Sequence, residues 1–165
     1  MKPAAFHSIH RHGLIRVAAA TPLASVGDVD ANADAAIALA KHGDTEGVDL
    51  IVYPELNITS YAIDDLHLQA AQQQASAAAV LRVASETAKL KPVLLLGAAL
   101  VRNGRLYNCA VAIHRGRVLG VVPKTFLPNY REYYEKRWFA SGMGLAGLTI
   151  DLGGDAVPFG TDLIF

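Results

Sequence analysis

A chain of 165 residues suits one domain, with little left over. Its fifteen basic and fifteen acidic residues cancel, which leaves no electrostatic case for nucleic acid or an anionic membrane surface as a partner. Hydrophobic residues make up 52% and mean hydropathy is +0.26, yet no apolar run reaches the ~18–20 residues needed to span a bilayer. That apolar surplus points to oligomer contacts or to a segment that covers it. A single cysteine, Cys109, excludes an internal disulfide framework and suits a reducing cytoplasm. The start is polar and His-rich, unlike a signal peptide.

Residues 1–13 carry His7, His10 and His12 with no acid or cysteine beside them, so they read as a solvated arm and not as a metal site. Leu14 to Ala20 reads as a first strand. Asp28 and Asp30 offer N-caps for an Ala-rich helix to about His42, closed by Gly43. Val48 to Tyr53 is then a β-branched and aromatic run, expected to be a strand buried on both faces and parallel to the first. Pro54 stops it and places Glu55 at its carboxyl end, where open α/β sheets locate their chemistry.

Asp64 and Asp65 read as caps for a helix over Leu66 to Leu90, broken near Ala70. Val93 to Leu100 is a buried strand, Asn103-Gly104 a two-residue hairpin turn, and Arg105 to His114 the returning strand. Arg115-Gly116 turns the chain again into Arg117 to Val122, so alternating βα gives way to a meander and the sheet is mixed. Pro123 ends that strand and Lys124 follows, the same architecture as Pro54-Glu55 with the opposite charge. Their charged ends are expected within ~3–6 Å, where each favours the other's ionised form. Thr125 to Ala140 is a long loop too rich in Tyr, Trp and Phe to be disordered. Gly142 to Gly147 matches G-x-G-x-x-G but opens no helix; the strand Leu148 to Leu152 follows it, so dinucleotide binding is not assigned here.

Glu55 and Lys124 on proline-ended strands, with an aromatic loop behind them, resemble the nitrilase (carbon–nitrogen hydrolase) superfamily. Ser60-Tyr-Ala-Ile-Asp-Asp65, Tyr107-Asn108 and Tyr130-Arg-Glu-Tyr-Tyr-Glu135 resemble, more narrowly, the N-terminal glutaminase domains of glutamine-dependent NAD synthetases. The resemblance implies an α/β fold, part of a nitrilase-type αββα sandwich with a mixed sheet, and a Glu-Lys-Cys triad. It makes Glu55 the general base, Lys124 the stabiliser of the tetrahedral oxyanion, and Glu135 a supporting acid that orients Lys124. Tyr61 and Tyr130 match positions lining the glutamine pocket, with aromatic packing of the loop as the competing reading.

In the family the nucleophilic cysteine lies in a Cys-Glu-Asp stretch shortly beyond Gly160-Thr-Asp-Leu163. Residues 14–165 are therefore expected to be the N-terminal portion of a glutaminase domain, incomplete at the C-terminus. Cys109, between Asn108 and Ala110 on a hairpin strand, is expected to be a buried, inert hydrophobe. No metal or cofactor is assigned to this segment. ATP, Mg²⁺ and deamido-NAD are implied for a synthetase domain elsewhere in the enzyme, and glutamine, that domain and a second copy of the chain are the implied partners in the cytoplasm. A stand-alone amidase or nitrilase, and a non-catalytic assembly module, are the rival readings.

Overall fold

Residues 6–165 are described by a computed structural model. Strand β1 (Val17–Ala19) lies parallel to β2 (Leu50–Val52), and β2 parallel to β3 (Val93–Arg102). Parallel neighbours need crossovers, and helices α1 (Val29–Thr45) and α2 (Ala70–Glu86) supply them. From β3 onward the chain turns tightly. Asn103 and Gly104 (φ 49° and 72°) lead into β4 (Arg105–His114), and Arg115 and Gly116 (φ 47° and 79°) into β5 (Arg117–Pro123). Positive φ at both turn residues is what a two-residue hairpin requires, so the meander forms where the sequence places it. Strands β6 (Leu148–Leu152) and β7 (Asp155–Phe159) make a further hairpin, giving one seven-stranded mixed sheet in the order β1-β2-β3-β4-β5-β7-β6. Strand β7 was not expected. It is short and contains Pro158, which argues against a strand in isolation.

Asp28 caps α1 as expected, its carboxylate accepting from the Ala31 N–H at 3.0 Å. The expected stop at Gly43 is wrong: α1 continues to Thr45, and the left-handed residue beyond it is Gly47 (φ 69°). Gly43 is instead a packing choice, because a Cβ there would meet the Ile51 side chain at 2.5 Å. The second helix begins at Ala70, where the break was expected, after a 3₁₀ turn (Asp64–Leu68). It ends at Glu86, short of Leu90, where the Thr87 hydroxyl donates to the Val83 carbonyl.

Both helices lie on one face of the sheet. Ala33, Ala36, Ile37, Val80 and Val83 pack there against Ile51, Leu94, Leu96, Val111 and Val121. The expectation that β2 is buried on both faces therefore fails. Ile51 points into this core, while its neighbour Val52 points the other way and is 43% exposed. On that second face the side chains of Leu163 and Phe165 lie over Gly120, and Val17 at the β1 end is exposed. The His-rich start, from residue 6, holds a 3₁₀ turn (Ile9–His12) closed by Gly13; residues 1–5 lie outside the described part. Its His10 ring reaches within 3.6 Å of Asp49. No helix among the described residues is long and apolar enough to cross a membrane.

Candidate active site

Proline ends both β2 and β5, and a glycine lets each exposed end be gripped from behind. Beyond β2, the Tyr53 N–H donates to Leu95 O at 2.9 Å and the Ile58 N–H to Gly97 O at 3.1 Å. Glu55 sits between these anchors. A Cβ on Gly97 would lie 2.3 Å from the Pro54 carbonyl and 2.5 Å from the Leu56 nitrogen, so only glycine admits the loop this close. Leu56 takes up the turn in the left-handed region (φ 50°) with its side chain fully buried, a conformation that packing must enforce. Beyond β5, the Lys124 N–H donates to Asn108 O at 2.8 Å, and the Gly142 N–H donates to Lys124 O at 2.9 Å.

The two ends meet. Lys124 Nζ donates to Glu55 Oε1 at 2.7 Å and to Glu135 Oε1 at 2.9 Å. This direct ion pair is closer than the expected range. The Tyr61 hydroxyl donates to the same Glu135 oxygen at 2.7 Å, and the Asn108 amide donates to Glu55 Oε1. Burial is graded: Glu135 is 1% exposed, Lys124 29% and Glu55 44%. Burial alone pulls the Lys124 ammonium down, but its bonds and proximity to Glu55 and Glu135 outweigh this and hold its pKa above the ordinary value. Burial, and then Glu135, push the Tyr61 phenol up, so it stays a donor. Beside these groups opens a cavity of about 460 Å³, lined among others by Glu55, Gly97, Asn108, Val122 and Lys124.

Glu135 opens a short 3₁₀ turn (Glu135–Arg137), and that turn is clamped on both sides. The Tyr134 hydroxyl donates to Asp64 at 3.0 Å. Arg137 donates to both oxygens of Asp65, at 2.7 and 2.6 Å, and the Trp138 indole donates to Asp65 at 2.9 Å. Asp64 and Asp65 were expected as helix caps. Asp65 instead ties its own segment to Arg137 and Trp138, just beyond Glu135, and these two hold its carboxyl far below the usual range. Underneath, the buried His67 ring packs on Trp138 and Phe139 at 5.6 and 5.0 Å.

Of the residues singled out from sequence, Glu55, Lys124, Glu135 and Tyr61 come together. Tyr130 does not join them: it is 65% exposed, with its ring 6.2 Å from that of Tyr133. Cys109 points away into the helix-covered core, 3% exposed, its thiol donating to Tyr107 O, and burial pushes its pKa well up. The sequence alone gives Asn108 no role. Only its alternation with Cys109 along β4 could have hinted at one, since neighbours on a strand face opposite ways.

Residues 16–162 match the family model described as carbon-nitrogen hydrolase. The chain belongs to that family. The glutamine-dependent NAD(+) synthetase of Mycobacterium tuberculosis is 48% identical over 160 residues, and that of Mycobacterium leprae 45%. Each alignment covers 97% of this chain and 23% of the relative, so the chain spans about a quarter of their length. A glutamine-dependent NAD(+) synthetase structure from Cytophaga hutchinsonii superposes with a TM-score of 0.83 at 26% identity, covering 88% of this chain and 25% of that one. An amidase from Nesterenkonia sp. superposes at 0.67 with 20% identity, covering 86% and 53%, a likeness of fold alone. The fold is thus the nitrilase α/β type, with one mixed sheet and its helix layer.

Proposed function

We propose that these residues form the acid–base half of a glutaminase that supplies ammonia for ATP-dependent NAD synthesis from deamido-NAD. One observation carries the reading: the ammonium of Lys124, at the end of one proline-stopped strand, bridges Glu55 at the end of another and the buried Glu135 on the loop beyond β5. The identity with the mycobacterial synthetases supports the choice of substrate over other amides.

Glu55 is the base in this reading. It takes the proton of a cysteine thiol, the sulfur attacks the glutamine amide carbon, and negative charge develops on the amide oxygen. An ammonium has three donors. Two of Lys124's are committed to Glu55 and Glu135, which fixes the third in direction for that oxygen. The C–N bond then breaks and ammonia leaves with the proton held by Glu55. Water, deprotonated by Glu55, hydrolyses the thioester. Glu135 keeps Lys124 charged and aimed. Tyr61 and Tyr130 are assigned to the glutamine pocket, Tyr61 through its bond to Glu135, and Tyr130, whose ring lies outside that cluster, through the family resemblance of its segment. Cys109 lies on the wrong side of the sheet to be the nucleophile, so the thiol comes from outside these 165 residues. ATP and Mg²⁺ are assigned to the synthetase part of the polypeptide, and to no residue here. A homo-oligomer in the cytoplasm completes the proposal, supported by the exposed apolar side chains and the lone reduced cysteine.

The test is made in the complete polypeptide that carries these residues. Glu55→Gln and Lys124→Gln should each lower glutamine-dependent NAD formation by ~10²–10⁴-fold, while synthesis fed with free ammonia continues. Full glutamine use by Glu55→Gln would sink the assignment.

A further inference from the structure

The geometry points to Asn108 as a positioning residue: with Lys124 it pins one oxygen of Glu55, so that the other, Oε2, is the atom that takes and returns the proton. This rests on the glutaminase reading above and goes beyond it by naming the reacting oxygen and the residue that selects it.

A carboxylate has two oxygens that are chemically alike, and the last torsion of a glutamate side chain is broad and roughly two-fold. Lys124 alone would hold Glu55 by one contact and let its oxygens exchange. In this structure both donors that reach Glu55 among the described residues, the Lys124 ammonium and the Asn108 amide, go to Oε1. Each carboxylate oxygen accepts about two hydrogen bonds, so Oε1 is filled. No bond from a described residue goes to Oε2, and the side chain is 44% exposed, beside the cavity.

Asn108 is placed for this by strand pairing. It sits on β4, between β3, which carries the Glu55 loop on Gly97, and β5, which delivers Lys124. Its backbone carbonyl accepts the Lys124 N–H at 2.8 Å while its amide reaches Glu55. One buried residue thus fixes the backbone of the cation and the side chain of the base in a single register. Its own side chain has no freedom to drift, being 4% exposed.

The balance of the proton step follows. The thiol S–H breaks and an O–H forms at Oε2. The Oε2–H then breaks as the proton joins the departing ammonia, so Glu55 ends as it began. With Asn108 in place, Oε1 never competes for that proton.

The experiment uses the complete polypeptide, with Asn108→Leu removing the donor at similar size and Asn108→Asp turning it into an acceptor. Misplacing a reacting group by about 1 Å can cost ~10²-fold. Asn108→Leu should therefore lower kcat for glutamine by about 100-fold with KM within about threefold, and Asn108→Asp should lower it further through like charge. Ammonia-fed NAD synthesis should hold in both. A merely structural role would lower both activities together. If Asn108→Leu fails to fold, Asn108→Ser and Asn108→Ala decide the matter: Ser keeps a short donor and should exceed Ala about tenfold in kcat. Wild-type kcat in Asn108→Leu, or equal Ser and Ala values, overturns the inference. A wild-type protein that makes NAD from ammonia and never from glutamine removes the glutaminase reading itself, a result distinct from either.

Discussion

Asn108 and Cys109 are adjacent, and the one-residue step between them separates the chemistry from the core. Asn108 reaches Glu55, and Cys109 enters the cluster under the helices with Val111 and Ile113. A thiol is reactive only as thiolate, and burial disfavours the charged form. Native Cys109 should therefore resist a thiol reagent at pH 8 that labels the denatured chain at once. In the complete polypeptide, Cys109→Ala should leave glutamine-dependent kcat within about threefold. Rapid native labelling, or an abolished kcat in that variant, would place the nucleophile here after all.

At the scale of elements, what could be read from sequence was what neighbours in sequence decide. Asn103-Gly104 and Arg115-Gly116 specify their turns by backbone preference alone, and Pro54 and Pro123 stop their strands wherever they sit. Glu55 and Lys124 were legible for that reason. What could not be read depends on distant partners. Gly43 ends nothing because it lies against Ile51, and Asp65 caps nothing because Arg137 and Trp138, 72 and 73 residues on, claim its carboxylate. Asn108 gained its role only through the pairing of β4 with β5.

His67 belongs to the same class and carries a pH dependence. Its Nε2–H donates to Tyr61 O at 3.4 Å, Nδ1 has no partner among the described residues, and burial holds the imidazole below its ordinary 6.5, against the weaker pull of that carbonyl and of Asp64. The unfolded chain binds a proton as pH falls through about 6.5 and the folded ring does not. Stability is thus full above that pH and is lost on acidification until the folded ring protonates, with a slope of at most ~1.4 kcal/mol per pH unit. Hydrogen exchange of residues 61–68 and 134–139, corrected for intrinsic rates, should show less protection at pH 5.5 than at 7.5. His67→Phe should flatten that difference, and an unchanged difference in the variant refutes the assignment.

For the whole molecule, the asymmetry of the sheet decides how these residues behave alone. Helices α1 and α2 bury one face, whereas the other presents Val17 and Val52 to water, with Ile164 98% and Phe165 64% exposed at the chain's end. Apolar area removed from water is worth roughly 25 cal/mol per Å², so a few hundred Å² of such surface favours association by several kcal/mol before the entropy of association opposes it. Edge strand β1 adds unpaired backbone to that surface. The same chain has Glu55 and Lys124 in contact but no accessible thiol, and groups that act as a unit lose most of their effect when one is absent. The 165 residues produced by themselves should therefore release no ammonia from glutamine above background and should self-associate. Light scattering on the purified chain, with an ammonia assay on the same sample, measures both. Steady turnover by a well-behaved monomer would mean that the nucleophile lies within these residues and that the second face of the sheet needs no cover.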